Sequence, residues 1–304
     1  MKQQKILVVG SSNTDMVIRT DHLPRPGETV LGGQFFMNPG GKGANQAVAI
    51  ARLGGNITFV CKTGSDIFGH QAQQLFEEEG INTSYVLSDS KNPSGVALIT
   101  VDSHAENCIA VASGANMKLS PDDLIRAKEA IEQADAILMQ LEIPIETVSY
   151  VAQTANAQGK KVILNPAPAQ SLSENLIRDL YLITPNETEA EMISGITITD
   201  DESAVLAAQK ICELGVDNVV ITLGVRGALV YNKEICTFVD GYKVKAIDTT
   251  AAGDIFNGAL TVAIMENRSL IDAVRFACKT AAIAVTRVGA QSSAPYRNEV
   301  DVFE

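Results

Sequence analysis

The segment Ile247-Asp-Thr-Thr-Ala-Ala-Gly-Asp-Ile-Phe-Asn-Gly-Ala-Leu260 decides how the rest of the chain is interpreted. It passes from threonines and small residues into an apolar run, which is typical of a loop that enters a helix with one buried face. The first N–H groups of a helix have no acceptor within the helix and lie at the positive end of its dipole. We therefore expect the backbone from about Ala251 to Asp254 to bind an anion.

Asp254 places a carboxylate at the edge of this expected anion site. Because a carboxylate repels a phosphate, Asp254 is interpreted as a base that faces a second reactant. The alternative is that Asp254 only caps the helix, since Asp is a common capping residue. This segment alone does not decide between the two interpretations.

The composition is that of an ordinary soluble protein, with 304 residues of which 46% are hydrophobic and 20% are charged. This length suits one large α/β domain with an appendage, or two small domains. The formal net charge of -12 argues against a nucleic-acid partner, which requires a basic face. A local group of backbone N–H donors can still bind phosphate on an acidic protein.

The five cysteines form no Cys-x-x-Cys pair, and the three histidines have no metal-ligand spacing. This pattern favours free thiols in a reducing compartment over disulfides or a zinc site. The apolar run of residues 6–9 is too short for a signal peptide or a membrane span. We therefore expect a cytoplasmic enzyme with no membrane partner.

Short apolar runs alternate with helical patterns along most of the chain. This alternation predicts an α/β fold with a doubly wound, mostly parallel central sheet flanked by helices. The predicted strands of this sheet are 5–10, 57–61, 136–141, 161–164, 180–184 and 217–223, followed by 228–231. The predicted helices are 47–53, 66–79, 121–133, 145–158, 251–266 and 270–287.

Two stretches, at about 16–38 and 84–102, lack the helical period and contain short strand-like runs broken by glycine and proline. We expect them to form one small β-sheet inserted in a single domain that spans residues 1–304. A β-sheet at the mouth of a larger sheet suggests a lid that excludes water. A meander that packs permanently on the body is the alternative.

Polar residues follow several predicted strands, where open α/β sheets bind their ligands. Asn13 and Asp15 are spaced to bind two sugar hydroxyls together, although an Asx turn explains them equally well. Glu142 is either a site residue or a surface charge. Asn186 and Glu189 predict either a capping arrangement at a helix start or a site that holds a metal–phosphate unit through water.

Two glycine-rich segments complete the candidate sites. Pro39-Gly-Gly-Lys-Gly-Ala-Asn-Gln46 is not a Walker A loop, since Lys42 is followed by glycine, but its glycines permit close approach of a ligand. Residues 222–227, with Arg226, suit either a nucleotide phosphate or a hairpin loop. The first predicted strand is not followed by Gly-x-Gly-x-x-Gly, which disfavours a dinucleotide-dependent dehydrogenase.

Together, Gly40-Gly-Lys-Gly-Ala-Asn45 and Asp248-Thr-Thr-Ala-Ala-Gly-Asp254 resemble the two signatures of the ribokinase (PfkB-type) family of sugar kinases. Asn13-Thr-Asp15, Asn186-Glu-Thr-Glu189 and Thr222-Leu-Gly-Val-Arg-Gly227 occur in the family's order, so the resemblance covers nearly the whole chain. It implies a β-lid that also forms a homodimer interface. It also implies phosphorylation of the terminal (O5) hydroxyl of a small sugar, first of all D-ribose, by ATP with Mg²⁺.

The resemblance also implies a role for each matching residue. Asp254 matches the catalytic base, and the N–H groups of Ala251, Ala252 and Gly253 match the anion hole. The matching sugar-binding positions are Asn13, Asp15, Gly41, Lys42, Asn45 and Glu142. The matching nucleotide-binding positions are Asn186, Thr222, Gly224, Arg226, Gly227, Gly253 and Cys278, with Glu189 holding Mg²⁺ through water. A monovalent cation, K⁺, is expected beside the anion hole, at Asp248, Thr250, Ala284, Arg287, Gly289 and Ser293.

Cys278 and Ile255 depart from the family pattern. Cys278 stands where family members carry a histidine near the adenine, so the nucleotide preference is open, and Ile255 replaces a more usual threonine. The alternatives are a kinase of the same family for 2-deoxyribose, a ketohexose or a nucleoside, and a sugar- or nucleotide-binding regulator without catalysis. The pair of Asn13 and Asp15, together with Glu142, favours a small, hydroxyl-rich ligand over a nucleoside. The presence of Asp254 and of the full glycine-rich run speaks against a regulator.

Overall fold

The computed structural model describes residues 4–104 and 106–303. Within these ranges the chain forms the strands β1 (Lys5–Val9), β2 (Asn13–Arg19), β3 (Gln34–Gly40), β4 (Asn56–Gly64), β5 (Asn82–Asp89), β6 (Gly95–Val101), β7 (Asn107–Ala112), β8 (Ala136–Met139), β9 (Lys161–Leu164), β10 (Leu182–Ile183), β11 (Asn218–Thr222), β12 (Ala228–Tyr231) and β13 (Cys236–Val239). It forms the helices α1 (Lys42–Arg52), α2 (Ile67–Glu78), α3 (Pro121–Arg126), α4 (Lys128–Gln133), α5 (Ile145–Asn156), α6 (Glu174–Arg178), α7 (Glu187–Ser194), α8 (Asp201–Glu213), α9 (Ala252–Met265), α10 (Leu270–Ala284) and α11 (Arg297–Val302).

The large sheet has the strand order β13-β12-β11-β10-β9-β8-β1-β4-β5. The strands from β11 to β5 pair in parallel, and β12 and β13 add two antiparallel pairs at one edge. The strand order reverses at β1, because β4 and β5 lie on one side of it and β8 to β11 on the other. Such a reversal leaves a crevice at the carboxyl ends of the strands. The predicted doubly wound, mostly parallel sheet is confirmed.

The central strand β1 is apolar on both faces because helices cover both sides of the sheet. Ile6 and Val8 belong to the core formed with α1, α9 and α10. Leu7 and Val9 belong to the core on the opposite side, which includes residues of α3, α4, α5 and α8. The two cores fix the position of β1, and therefore of the loop that follows it. No helix within the described residues is long and apolar enough to cross a membrane.

The small sheet has the strand order β3-β2-β6-β7 and is separate from the large one. Its first half matches the prediction for residues 16–38, except that residues 29–31 are not a strand. The assignment of residues 84–89 to this sheet is wrong, because β5 pairs in parallel with β4 at the edge of the large sheet. A half-exposed edge strand shows the same mixed pattern as a lid strand. The fourth strand of the small sheet is β7, which the sequence prediction missed.

Two predicted helices differ from the observed ones by more than a few residues at an end. The predicted helix 121–133 is divided at Ala127 into α3 and α4. Helix α1 begins at Lys42 rather than at residue 47, so Gly43 and Asn45 are helical. The glycines made this turn look like a loop. Their side-chain-free backbone instead allows the helix to start against the end of β1.

Candidate active site

The first turn of α9 presents free backbone donors. Its N-cap, Ala251, has the left-handed conformation (φ 60°). Ala252 donates its N–H to the Thr249 carbonyl at 3.2 Å, whereas the N–H groups of Gly253 and Asp254 bond to no acceptor in residues 4–104 or 106–303. Gly253 is exposed, and a Cβ built on it would meet no atom within 4 Å. The helix therefore starts at an open space lined with donors, which suits an anion.

Asp254 does not cap this helix, since α9 has no side-chain cap. Its carboxylate is buried (the residue is 5% exposed) and points toward α1. Oδ2 accepts a hydrogen bond from Asn45 Nδ2 at 2.8 Å, and Oδ1 accepts one from Gln46 Nε2 at 3.2 Å. Burial is the largest influence on the carboxyl and raises its pKa, while Lys42 and the two amides oppose the rise.

Helices α1 and α9 approach closely enough for these contacts because Gly258 faces α1. A Cβ at position 258 would lie 2.8 Å from Ala49 Cβ. A larger residue at position 258 would separate the helices, and the amides of Asn45 and Gln46 would lose the Asp254 carboxylate. The small residue in the middle of α9 therefore has a positional role in the site.

The glycine segment before α1 brings two residues of β2 into the same place. A Cβ at Gly40 would lie 2.3 Å from Asp15 Oδ2. Gly41 has a positive φ (90°), and a Cβ there would lie 2.7 Å from the Asn13 backbone nitrogen. Asp15 and Asn13 therefore lie directly against this segment, and both belong to the small sheet.

Glu142, which follows β8, is fixed by groups from the neighbouring loops. Its Oε2 accepts hydrogen bonds from Ser11 Oγ at 2.5 Å and from the Lys42 backbone N–H at 3.0 Å. The Lys42 side chain is half-buried. Burial disfavours its charged form, but Asp254, Glu142 and Glu189 together outweigh this and raise the pKa of the Lys42 ammonium. The Lys42 ammonium is therefore stabilised by the charges of three carboxylates.

Asp15 also belongs to this group of interacting charges, and we call Asp15, Lys42, Glu142 and Asp254 the charged cluster. Burial first, and then the charges of Glu142 and Asp254, raise the pKa of Asp15 to about 6. No donor within the described ranges bonds to its carboxylate oxygens. Asp15 is therefore a half-buried acceptor that is open to a ligand.

Asn186 and Glu189 form the capping box that was one of their two predicted arrangements. Glu189 donates its N–H to Asn186 Oδ1 at 2.8 Å, and Asn186 donates its N–H to Glu189 Oε2 at 2.9 Å. The Oε1 atom of Glu189 accepts no hydrogen bond among the described residues. Burial is the main cause that raises the pKa of Glu189, and the charges of Lys42 and Asp254 also act on it. Glu189 therefore belongs to the same charged cluster.

Residues 222–227 lie beside this capping box. Thr222 forms a parallel bridge with Asn186, and a short 3₁₀ turn follows at Gly224–Arg226. The Arg226 guanidinium bonds to Glu187 at 2.7 Å and to Asp201 at 2.6 Å, so it is held among surface carboxylates. The bridge to Asn186 is therefore the link between this segment and the capping box, and the Arg226 side chain is engaged elsewhere.

Cys278 lies on α10, which packs against β12 and β13. Its thiol is buried, and burial raises its pKa to about 11, so it remains neutral. Within the described chain, no hydrogen bond or ion pair links Cys278 or Arg226 to Asp254. The structure does not bring these two side chains into the charged cluster.

The residues predicted to bind K⁺ come from two adjoining segments beside the start of α9. Asp248 Oδ1 accepts from the Thr250 N–H and Oδ2 from the Gly289 N–H, both at 2.9 Å. Burial tends to raise the pKa of Asp248, but these hydrogen bonds outweigh it and lower the pKa. The Val285 carbonyl accepts from the Asp248 N–H at 3.2 Å and so joins the end of α10 to this loop. The other predicted positions, Ala284, Arg287 and Ser293, lie in or beside the segment that carries Gly289.

Sequence reasoning missed several buried polar residues of the site. Asn116 donates to Asn13 Oδ1 at 2.7 Å, and Ser11 holds Glu142. Gln46 and Gln140 bond to each other at 2.5 Å. Gln46 lies at the end of the glycine-rich segment 39–46, so its position in that segment could have indicated that it belongs to the site. Nothing near Asn116 in the sequence indicates its contact with a residue 103 positions away.

Residues 3–297 of the chain match the protein family that is described as "pfkB family carbohydrate kinase". The chain belongs to the PfkB family of carbohydrate kinases. This chain is 46% identical to the ribokinase of Haemophilus influenzae over 302 residues, which is 99% of this chain and 98% of that protein. These similarities confirm the family resemblance that the sequence indicated.

Solved structures agree with this assignment. The ribokinase of Thermotoga maritima is 41% identical, with a TM-score of 0.90 and 98% of each chain covered. The ribokinase of Arabidopsis thaliana, solved in complex with ribose and ATP, is 32% identical, with a TM-score of 0.91, and the match covers 99% of this carbohydrate kinase and 100% of that chain. The match in both fold and length confirms the predicted architecture.

Proposed function

We propose that this protein transfers the γ-phosphoryl group of ATP to the O5 hydroxyl of D-ribose, giving ribose 5-phosphate and ADP. It is an ATP-dependent sugar kinase. The relatives that match over nearly its full length include ribokinases at 46% and 40% identity and deoxyribokinases at 36% identity, so ribose is the sugar favoured by the higher similarity. The observation that carries the assignment is a set of polar groups without protein partners around Asp254. Such a set fits a small polyol better than an apolar or aromatic ligand.

The unpartnered groups come from both sheets. Asp15 and Glu142 each have a carboxylate oxygen that accepts no hydrogen bond from the described residues. Asn45 Oδ1 is buried without any hydrogen-bond partner. An unsatisfied buried acceptor costs about 1–3 kcal/mol, and a sugar hydroxyl would remove that cost. The three acceptors surround the base, so a bound sugar would present a hydroxyl to Asp254.

The reaction follows from this placement. Asp254 takes the proton of the attacking hydroxyl as O5 bonds to phosphorus and the bond to the ADP oxygen breaks. The N–H groups of Gly253 and Asp254 and the Lys42 ammonium stabilise charge on the transferred group. Phosphoryl transfer depends mainly on positioning and on such charge stabilisation. The pKa of Asp254 is raised, so activity falls when pH drops far enough to protonate this base.

Mg²⁺ is part of the proposal, since ATP-dependent phosphoryl transfer uses it to neutralise charge on the β- and γ-phosphates. Glu189 fits a role in holding it through water, because Oε2 is engaged in the capping box while Oε1 is not. Asn186, Thr222, Gly224 and Gly227 are proposed to position the nucleotide through the capping box and the adjoining turn. Neither Arg226 nor Cys278 is given a catalytic role.

K⁺ is proposed to bind at the loops that carry Asp248 and Gly289. A carboxylate kept ionised by two backbone N–H donors, with the Val285 carbonyl beside it, is chemically suited to a hard monovalent cation. Replacing K⁺ by a bulky organic cation should lower kcat, because this loop leads directly into the anion site at Gly253. Unchanged kinetics in K⁺, Na⁺ and tetramethylammonium would rule out the cation.

A homodimer through the small sheet is also proposed. Met16, Met37 and Leu98 are neighbours in one row of this sheet, on the face opposite Asp15, and Phe35 extends that face. Phe35 is 62% and Leu98 57% exposed. Exposed apolar patches of this kind mark interaction surfaces.

We place the protein in the cytoplasm on the basis of its five free cysteines.

The functional assignment is tested by measuring ADP release with Mg²⁺, ATP and K⁺ for D-ribose, 2-deoxyribose, D-fructose and adenosine. The highest kcat/KM is expected with ribose, and the phosphorylated position is identified by NMR of the product. A clear preference for another sugar would move the assignment within the family. Sugar binding without ADP release would support a regulator instead.

A further inference from the structure

A chain of buried amides leads to the Asp254 carboxylate from the interior of the protein. Gln46 is fully buried, and its Nε2 donates to Asp254 Oδ1 at 3.2 Å and to Asn165 Oδ1 at 3.1 Å. Its Oε1 accepts a hydrogen bond from Gln140 Nε2 at 2.5 Å. Both hydrogens of the Gln46 amide and its oxygen are therefore engaged.

Gln140 supports the orientation of the Gln46 amide that its two acceptors, Asp254 and Asn165, require. Gln140 is itself fully buried, and its Oε1 has no hydrogen-bond partner. It is confined by close packing, because a Cβ at Gly10 would lie 2.0 Å from that oxygen. Asp254 and Asn165 take the amide hydrogens of Gln46, so the oxygen of that amide faces Gln140, which donates to it. A reversed Gln46 would set an N–H against Gln140 Nε2 and an oxygen against the Asp254 carboxylate, and both contacts would be repulsive.

Asn165 continues the chain toward the anion site. Its Nδ2 donates to the Thr184 carbonyl at 3.3 Å, and Thr184 Oγ1 donates to Asn257 Oδ1 at 2.6 Å. Asn257 Nδ2 then donates to the Gly253 carbonyl at 2.8 Å. The chain thus runs from the carboxylate of Asp254 to the peptide that precedes Asp254. Gln140, Asn165 and Thr184 each follow a neighbouring strand of the large sheet, so the rigid sheet supports both ends.

We propose that Gln46, oriented by Gln140 and Asn165, is a positioning residue that holds the Asp254 carboxylate toward the sugar pocket. Gln46 has no exposed surface, so it contacts neither sugar nor nucleotide and acts only through Asp254. Its N–H also favours the ionised form of the carboxylate, which is the form that accepts a proton. This inference rests on the proposed role of Asp254 as the base.

The test compares Gln46→Leu and Gln140→Leu with the wild-type protein over a range of pH. Gln46→Leu should lower kcat about 10- to 100-fold, the size expected for the loss of one charge-assisted hydrogen bond. KM for ribose should stay within about twofold, and the acid limb of the kcat profile should move to higher pH. Gln140→Leu should shift the profile in the same direction by a smaller amount, because it releases Gln46 without removing it.

Gln291→Leu is the matched control. Gln291 is also a buried glutamine with an unpartnered Oε1, but it bonds to the Gly40 carbonyl and not to Asp254. It should cost a similar amount of thermal stability without moving the acid limb. If Gln46→Leu and Gln140→Leu fold and keep the wild-type kcat and acid limb, the inference is overturned while the sugar kinase activity stands. A wild-type protein without that activity would overturn both, before any variant is made.

Discussion

Asp254 is closed off from water on the side of α1, while the adjoining Gly253 is exposed. We predict that Asp254→Asn lowers kcat by a factor of roughly 10²–10⁴, the usual contribution of a general base. The new side chain has one acceptor oxygen, which can keep the Gln46 hydrogen bond, and its amide hydrogens can bond to Asn45 Oδ1 if Asn45 reverses, since that oxygen has no other partner. Ribose affinity should therefore change little. ADP release gives kcat, and titration calorimetry gives the affinity.

The outcome that would contradict this role is a variant with near-normal turnover and unchanged ribose affinity. Asp254 would then be a structural residue that binds the amides of α1. A variant that loses both turnover and sugar affinity would show that the substitution disturbs the pocket as a whole. Circular dichroism and a thermal melt separate that case from misfolding.

The Asp15 carboxylate should lower the stability of the folded protein, and it should also strengthen sugar binding. Its pKa rises from 3.8 to about 6 on folding, so its charge is disfavoured in the folded state at neutral pH. We predict that Asp15→Asn raises the unfolding free energy by roughly 1–3 kcal/mol at pH 7.5. Ribose affinity should fall about 10- to 100-fold, because hydrogen bonds to a charged acceptor are lost. Urea denaturation and calorimetry measure the two effects.

The pH dependence checks the cause of this stability difference. Between about pH 4 and pH 6 the folded protein takes up a proton at Asp15 that the unfolded chain does not. The wild-type protein should therefore regain stability relative to Asp15→Asn as pH falls through this range. The two proteins should be equally stable below about pH 4. A difference that is constant from pH 4 to pH 8 would exclude the charge as its source.

The backbone conformation at the start of α9 affects the stability of the whole helix. Ala251 has a positive φ (60°), which costs a non-glycine residue about 1–2 kcal/mol. We predict that Ala251→Gly leaves stability unchanged or raises it by up to about 1 kcal/mol, since glycine relieves this strain but makes the unfolded chain more flexible. The measurement is urea denaturation.

The control for Ala251→Gly is Ala130→Gly, at a half-buried position inside α4 with ordinary helical geometry. That substitution should destabilise the protein by about 1 kcal/mol, the usual difference between the two residues in a helix. Equal losses in the two variants would mean that the conformation at position 251 is not strained.

Elements with a strong local pattern were predictable from the sequence, and an element that depends on its partner was not. β1 is apolar throughout because it is buried on both faces, and α9 carries a buried stripe after a polar loop. Residues 84–89 were misassigned because an edge strand of the large sheet is half-exposed, like a strand of the small one. Only the pairing of β5 with β4 separates the two cases, and pairing is not a local property of the sequence.

The charged cluster was partly predictable for the same reason. Asn13, Glu142 and Asn186 follow predicted parallel strands, and the carboxyl ends of such strands lie at one edge of the sheet. Asn116 was not predictable, because it lies in a short 3₁₀ helix (Gly114–Lys118) that follows β7 and carries no motif. The orientation of the Gln46 amide depends on Gln140 and Asn165, which are distant in the sequence. The order of the parallel strands predicts which residues lie near the site. It does not predict which buried amides form hydrogen bonds with them.

At the scale of the whole molecule, we predict a dimer in solution that is broken by Leu98→Glu. The substitution places a charge in the apolar face of the small sheet, where desolvating it would be costly. Leu206→Glu is the matched control, because Leu206 is 54% exposed on α8, away from the small sheet, against 57% for Leu98. Light scattering should show a monomer for the first variant and a dimer for the second. A monomeric wild-type protein would contradict the proposed interface.

Asn13 and Asp15 are part of β2 itself, so the proposed cover of the pocket and two of its proposed sugar contacts are a single piece of structure. Any outward swing of that sheet would carry both side chains away from Glu142 and Asn45. Capture of the sugar and exclusion of solvent would then be one thermodynamic event, described by a single equilibrium constant. Under that coupling, tethering the small sheet in its closed position would slow sugar entry and exit together while strengthening retention.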